Sequence, residues 1–209
     1  ADIEFAGQVV KLNVTDPVIT AGVSIKKTGY AQTMNNNIMR WTVSGVRNDS
    51  TTSLQSFYWR DTLPTDAVRL TRLVTGTYST TQTYKVTFTT NLNSQWRTAY
   101  DNLSTAKNYT LDMSSAALGL ASNEYVTQFM LSFGIVPAGF HQLTNATVDA
   151  QTLYALTNGY KFTNKADVGG LLGGNWVQSI ARWTTSIYSH YVPAKPAAPK
   201  SPTLPRTGY

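Results

Sequence analysis

Ile38-Met-Arg-Trp-Thr-Val-Ser-Gly-Val46, the turn Asn48-Asp49-Ser50, and then Leu54-Gln-Ser-Phe-Tyr-Trp-Arg-Asp61 together decide the fold. Aromatic and β-branched residues alternate with polar ones at a period of two, the pattern of a pleated strand with one buried face. Asn, Asp and Ser between the runs favour turns because their short side chains bond the local backbone. The same grammar continues outward. Strands are expected at Val9–Val14, Val23–Thr28, Val68–Val74, Thr83–Thr90, Tyr125–Gly134, Thr147–Leu156, Tyr160–Val168 and Trp176–Tyr188. Gly169-Gly170 and Gly173-Gly174 bracket a hairpin between the last two. The stretch Ser94–Asn123 breaks the pattern and reads as a long connection, with helical turns at Trp96–Asn102 and Ser114–Leu120. The expected fold is an all-β antiparallel sandwich.

Composition narrows the setting. The chain has 209 residues, 42% hydrophobic and only 13% charged, so its surface must be largely Thr, Ser, Asn and Gln. That balance suits an extracellular β protein. The net charge of +6 is scattered, with no basic run longer than Lys26-Lys27, which argues against nucleic-acid binding. There is no cysteine, so a secreted domain of this composition needs another device against unfolding. No apolar run of about 18 residues occurs to span a membrane.

The last residues read Leu204-Pro205-Arg206-Thr207-Gly208-Tyr209, after the proline-rich stretch Pro193-Ala-Lys-Pro-Ala-Ala-Pro-Lys-Ser-Pro202. This resembles the LPXTG sorting signal of Gram-positive surface proteins. The resemblance implies that sortase cuts between Thr207 and Gly208 and joins Thr207 covalently to peptidoglycan, which gives an extracellular, wall-anchored location. The expected organisation is an N-terminal strand or linker over residues 1–20, a sandwich over 21–190, and an extended Pro-rich stalk over 191–209.

A second resemblance lies in Val23-Ser-Ile-Lys-Lys-Thr-Gly29, Phe57-Tyr-Trp-Arg-Asp-Thr-Leu-Pro64, Val136-Pro-Ala-Gly-Phe140 and Phe162-Thr-Asn-Lys-Ala-Asp-Val168. Their order is similar to the DUF11-type immunoglobulin-like domains of Gram-positive surface proteins, so the sandwich is expected to be immunoglobulin-like. Some related adhesin and pilin domains join a Lys to an Asn through an isopeptide bond promoted by an acid. Strand alternation asks whether such side chains share a core here. Lys27 falls on the face of Val23 and Ile25, Asp61 on that of Phe57 and Trp59, and Asn164 on that of Phe162, Ala166 and Val168. Lys26 and Asp167 fall on the opposite, polar faces. The expectation is a cross-link from Lys27 to Asn164 with Asp61 as the catalytic acid and Asn145 as the alternative acceptor. Unreacted, the same trio would be a buried ion pair hydrogen-bonded to an amide. A one-residue register slip would reverse every assignment.

Other chemistry finds little support. His141 and His190 are the only histidines, too few for a zinc site, and no nucleophile elbow or phosphate-binding loop is present. The chain therefore reads as a structural stalk or adhesin module with no enzymatic activity and no cofactor. The alternatives are an adhesin domain recognising a host matrix protein or glycan, and, behind it, a wall-associated hydrolase. Trp96, Trp176, Tyr78 and Tyr191 would be the members of a sugar-stacking platform, unless they are core or strand-edge packing.

Overall fold

The computed structural model describes residues 2–5, 8–11, 20–29, 32–33 and 38–188. Two sheets face one another. The larger has the strand order β10 (Arg97–Ser104), β9 (Thr83–Thr90), β12 (Val126–Val136), β6 (Leu54–Thr62), β15 (Lys161–Leu172), β16 (Asn175–Tyr188) and β4 (Gln32–Thr33). The smaller has the order β11 (Thr110–Asp112), β7 (Val68–Val74), β14 (Ala146–Thr152), β5 (Ile38–Asn48) and β3 (Val23–Gly29). All pairings are antiparallel except the short contact of β4 with β16. Two further pairs complete the described strands: β1 (Asp2–Phe5) with β2 (Gln8–Lys11), and β8 (Thr77–Tyr78) with β13 (Gln142–Thr144).

The core is the slab between the sheets, filled by the inward residues of each period-two strand. Phe57 and Trp59 of β6, Phe129 and Leu131 of β12, and Val168 of β15 meet Met39, Trp41 and Val43 of β5 and Leu70 and Leu73 of β7, all fully buried. Aromatic edges lock the slab: Trp59 meets Phe129 with ring centroids 5.5 Å apart, and Phe57 meets Phe140 at 5.4 Å. Such edge-to-face pairs add about 0.5–1.5 kcal/mol each beyond the area they bury.

Turn chemistry sets the registers. β15 runs into β16 through Gly173-Gly174, whose φ values of +56° and +84° suit the two-residue turn that matches strand twist. Leu172 therefore pairs with Asn175, and the register holds to Lys161 opposite Ser186. The Pro137–Phe140 turn is held by the buried Asn48, whose amide donates to the Pro137 carbonyl at 2.8 Å and the Thr52 carbonyl at 3.1 Å.

One expectation changes. Trp96–Asn102 is not a helical turn: Arg97–Ser104 is a strand paired with β9, and register shifts after Thr98 and after Tyr100 obscure its alternation. Ser114–Leu120 does close on itself, with Leu118 bonding back to Ser114 and Leu120 to Ser115. Of the expected strand Val9–Val14, β2 covers the beginning and the rest lies outside the described residues. The whole Pro-rich tail with Leu204, Pro205, Arg206, Thr207 and Gly208 also lies outside them, as do His190 and Tyr191.

Candidate cross-link site

β3 is the edge strand of the smaller sheet and packs against β15 and β16 of the larger one. Its alternation turns Ile25 and Lys27 inward and leaves Lys26 and Thr28 exposed. A register shift between Ser24 and Lys26 re-aims the strand before Lys27 pairs with Val43. Asp61 sits on β6 between Phe129 of β12 and Ala166 of β15. Asn164 lies on β15 two residues before Ala166, so it shares the face of Asp61 as a diagonal neighbour. The two sheets thus deliver an amine, a carboxyl and a carboxamide to one dry point.

Burial there is complete. The side chains of Lys27 and Asp61 are inaccessible to solvent and form an ion pair, Lys27 Nζ donating to Asp61 Oδ2. Asn164 is likewise fully buried. The Lys27 amine stands 5.8 Å from the centre of the Trp41 ring, and Phe162 meets that ring edge-on at 6.3 Å. Neither amide atom of Asn164 meets a partner at hydrogen-bonding geometry, nor does Asp61 Oδ1. An unsatisfied buried polar atom costs about 1–3 kcal/mol, and this pocket holds three.

The electrostatics favour neutral partners. Burial pushes the Lys27 amine below its ordinary value, against the opposing pull of Asp61. Burial pushes the Asp61 carboxyl up, against the Lys27 charge and the nearby Asn164 amide, both of which favour its ionised form. Desolvation dominates for both groups, because charge is hard to hold where no water reaches. A neutral amine is a nucleophile, and a protonated carboxyl can polarise an amide carbonyl.

The other candidate residues lie elsewhere. Asn145 is exposed in the link between β13 and β14, on the smaller sheet's side of the molecule. Tyr78 is buried, its hydroxyl accepting from Trp59 Nε1 at 2.8 Å, so it presents no ring to solvent. Trp96 and Trp176 are exposed. His141 bonds the Gly139 carbonyl through Nδ1. Among the described residues no cluster of His, Cys, Asp or Glu could hold a metal ion.

Alternation alone misses two buried carboxylates. Asp167 does fall on the outer face of its sheet, yet it is completely covered: Arg60 grips it through Nε at 3.0 Å and Nη2 at 2.9 Å, and Tyr58 and Gln178 donate to it. Asp149 on β14 is held by Arg40 from β5 and Arg72 from β7. Each clamp joins neighbouring strands, so only the sheet order could reveal it.

Neither a protein-family model nor a curated protein sequence matches the chain. Among solved structures, it is similar to the collagen-binding domain of a Staphylococcus aureus adhesin, at 14% identity and a TM-score of 0.38 over 80% of this chain and 99% of that one. It is similar also to the collagen-binding subdomain of the Enterococcus faecalis surface protein ACE, at 12% identity and a TM-score of 0.33 over 85% and 100%. A third likeness is AggA, the major subunit of aggregative adherence fimbriae type I from Escherichia coli, at 11% identity and 0.33 over 86% and 99%. Overlaps this loose transfer no ligand.

Proposed function

We propose that this chain is a structural module of a bacterial cell surface, a stalk or adhesin domain whose two sheets are joined by an autocatalytic isopeptide bond between Lys27 and Asn164. The observation that carries this reading is the sealed trio: an amine and a carboxyl in contact, beside a carboxamide whose atoms are without partners. The Lys27 Nζ lone pair attacks Asn164 Cγ. Asp61, protonated, donates to the carboxamide and passes the proton lost by Nζ to the departing Nδ2. The Cγ–Nδ2 bond breaks, ammonia leaves and one amide replaces another. Fixed positioning makes the step effectively unimolecular. The neutral product also removes the cost of holding an ion pair in a dry core.

The test is an intact mass of the purified chain. A mass one ammonia below that of the sequence is expected, with a Lys27–Asn164 branched peptide after digestion. A full calculated mass overturns the cross-link.

Surface attachment belongs to the same reading and is supported by the Leu204–Gly208 motif behind its proline-rich stretch. Thr207 supplies the carbonyl carbon that the sortase cysteine attacks, and the Gly208 amine is the leaving group. Incubated with a sortase and an oligoglycine amine, the chain should lose Gly208-Tyr209 and gain the amine on Thr207. Leu204→Ala and Pro205→Ala should each abolish the exchange. Exchange that persists in both variants removes the motif from the proposal.

A further inference from the structure

The outer face of the larger sheet carries a groove of about 660 Å³, within the roughly 300–1,000 Å³ typical of ligand sites. The buried trio plays no part in it. Because Phe57, Trp59 and Asp61 turn into the core, Tyr58 and Arg60 turn out and form the floor. Lys85 does the same between buried Tyr84 and Val86 on β9. The walls come from opposite sides: Trp96 from the link between β9 and β10, and Trp176 from the start of β16 beside the Gly173-Gly174 turn.

Both tryptophans leave large ring surfaces in solvent, at 39% and 61% exposure. The site is nonetheless built. Trp176 is set edge-on to Tyr58 at 6.0 Å, and the Arg60 guanidinium lies 5.6 Å from the Tyr58 ring centre. Arg60, Tyr58 and Gln178 all converge on the buried Asp167, which fixes the floor from beneath. Backbone strain gathers here as well. Ser56 and Asn102 are the positive-φ residues other than glycine among the described residues, at +50° and +54°. Ser56 lines the groove, and Asn102 follows Asp101, which also lines it. Left-handed non-glycine residues of this kind cluster at ligand sites.

Charge selects the ligand class. Arg60 is neutralised by Asp167. Lys85 and Asp101 add one charge of each sign, with no ion-pair partner for either among the described residues. An anion would meet Asp101, and a cation would meet Lys85. Flat aromatic faces beside separate donors and acceptors suit a ligand that is apolar on its faces and rich in hydroxyls at its edges. We infer that this groove is a binding site for a neutral oligosaccharide, clasped between Trp96 and Trp176 with its hydroxyls on Asp101 and Lys85.

The experiment titrates the full chain with cellohexaose, maltohexaose, chitohexaose and a proline-rich peptide, following tryptophan fluorescence and calorimetry. At least one sugar should bind, and its monosaccharide should bind more weakly. Trp96→Ala and Trp176→Ala should each weaken binding about tenfold or more, a loss of ~1.4 kcal/mol, with the melting temperature retained. Lys27→Ala should bind sugar as the parent does, which separates failure of the groove from failure of the cross-link. No sugar bound at millimolar concentration, binding indifferent to both tryptophans, or binding of the peptide alone would each overturn the inference.

Discussion

A lysine amine is useful as a nucleophile only when it is unprotonated, and Lys27 is placed where protonation is costly. Three single substitutions separate its role from those of its neighbours. Lys27→Ala removes the nucleophile and should restore the full calculated mass. Asp61→Ala keeps both bond partners and should leave them unjoined, because no group then carries the proton to the leaving nitrogen. Lys26→Ala alters only an exposed side chain, so the ammonia deficit should survive. Losing the deficit in Lys26→Ala while keeping it in Lys27→Ala would place the nucleophile on the wrong lysine. Stability should follow the bond. Closing the loop from Lys27 to Asn164 is worth roughly 4–5 kcal/mol by the chain-entropy argument used for disulfides, less any strain. For a domain of this size that is a fall of about 10–20 °C in melting temperature for Asp61→Ala, since 1 kcal/mol shifts it by roughly 2–4 °C.

At the scale of the strand, β3 depends on a close approach that only glycine allows. A Cβ built on Gly29 would stand 2.7 Å from ring carbons of both Trp41 and Trp183. Those indoles flank the end of β3 where Lys27 enters the core, and a tryptophan cannot retreat as a flexible side chain would. Gly29→Ala should therefore destabilise the fold by about 1–3 kcal/mol, as overpacking does, and slow or prevent the ammonia loss by moving Lys27. An unchanged melting curve with a complete mass deficit would show that β3 tolerates the displacement. The same strand shows what sequence can reveal. Val68–Val74 and Thr83–Thr90 were readable to the residue because Val, Leu, Thr and aromatic residues fill both runs between turn signals. The inward facing of Lys27, Asp61 and Asn164 was readable because the period of two holds around each of them. β10 was not, because its register shifts break the period of two. Nor were the clamps on Asp167 and Asp149, whose arginines belong to strands distant in sequence and adjacent only once the sheet order is known. The groove was half readable: Trp96 and Trp176 announced themselves by type, but Tyr78 proved to be core and the floor of Tyr58 and Arg60 needed the sheet.

For the whole molecule, the trio's position decides how the domain would carry tension. Lys27 lies on β3 near the start of the sandwich, and Asn164 lies on β15, whose hairpin partner β16 leads out toward the tail. With the bond formed, tension entering before β3 crosses from Lys27 to Asn164 and leaves through β15 and β16. The strands from β5 to β14 lie off that path and bear no load. With that bond the two sheets could not be pulled apart by peeling β3, because β3 would be covalently part of the other sheet. Pulled from its two ends in a single-molecule force experiment, the parent chain should gain only the length outside the loop. Lys27→Ala should release the additional ~137 residues between the two sites, a further contour length of about 450–490 Å at ~3.3–3.6 Å per residue. Equal contour gains for the two proteins would mean that the chain between Lys27 and Asn164 bears load in both, and the cross-link would be excluded however well its side chains are placed.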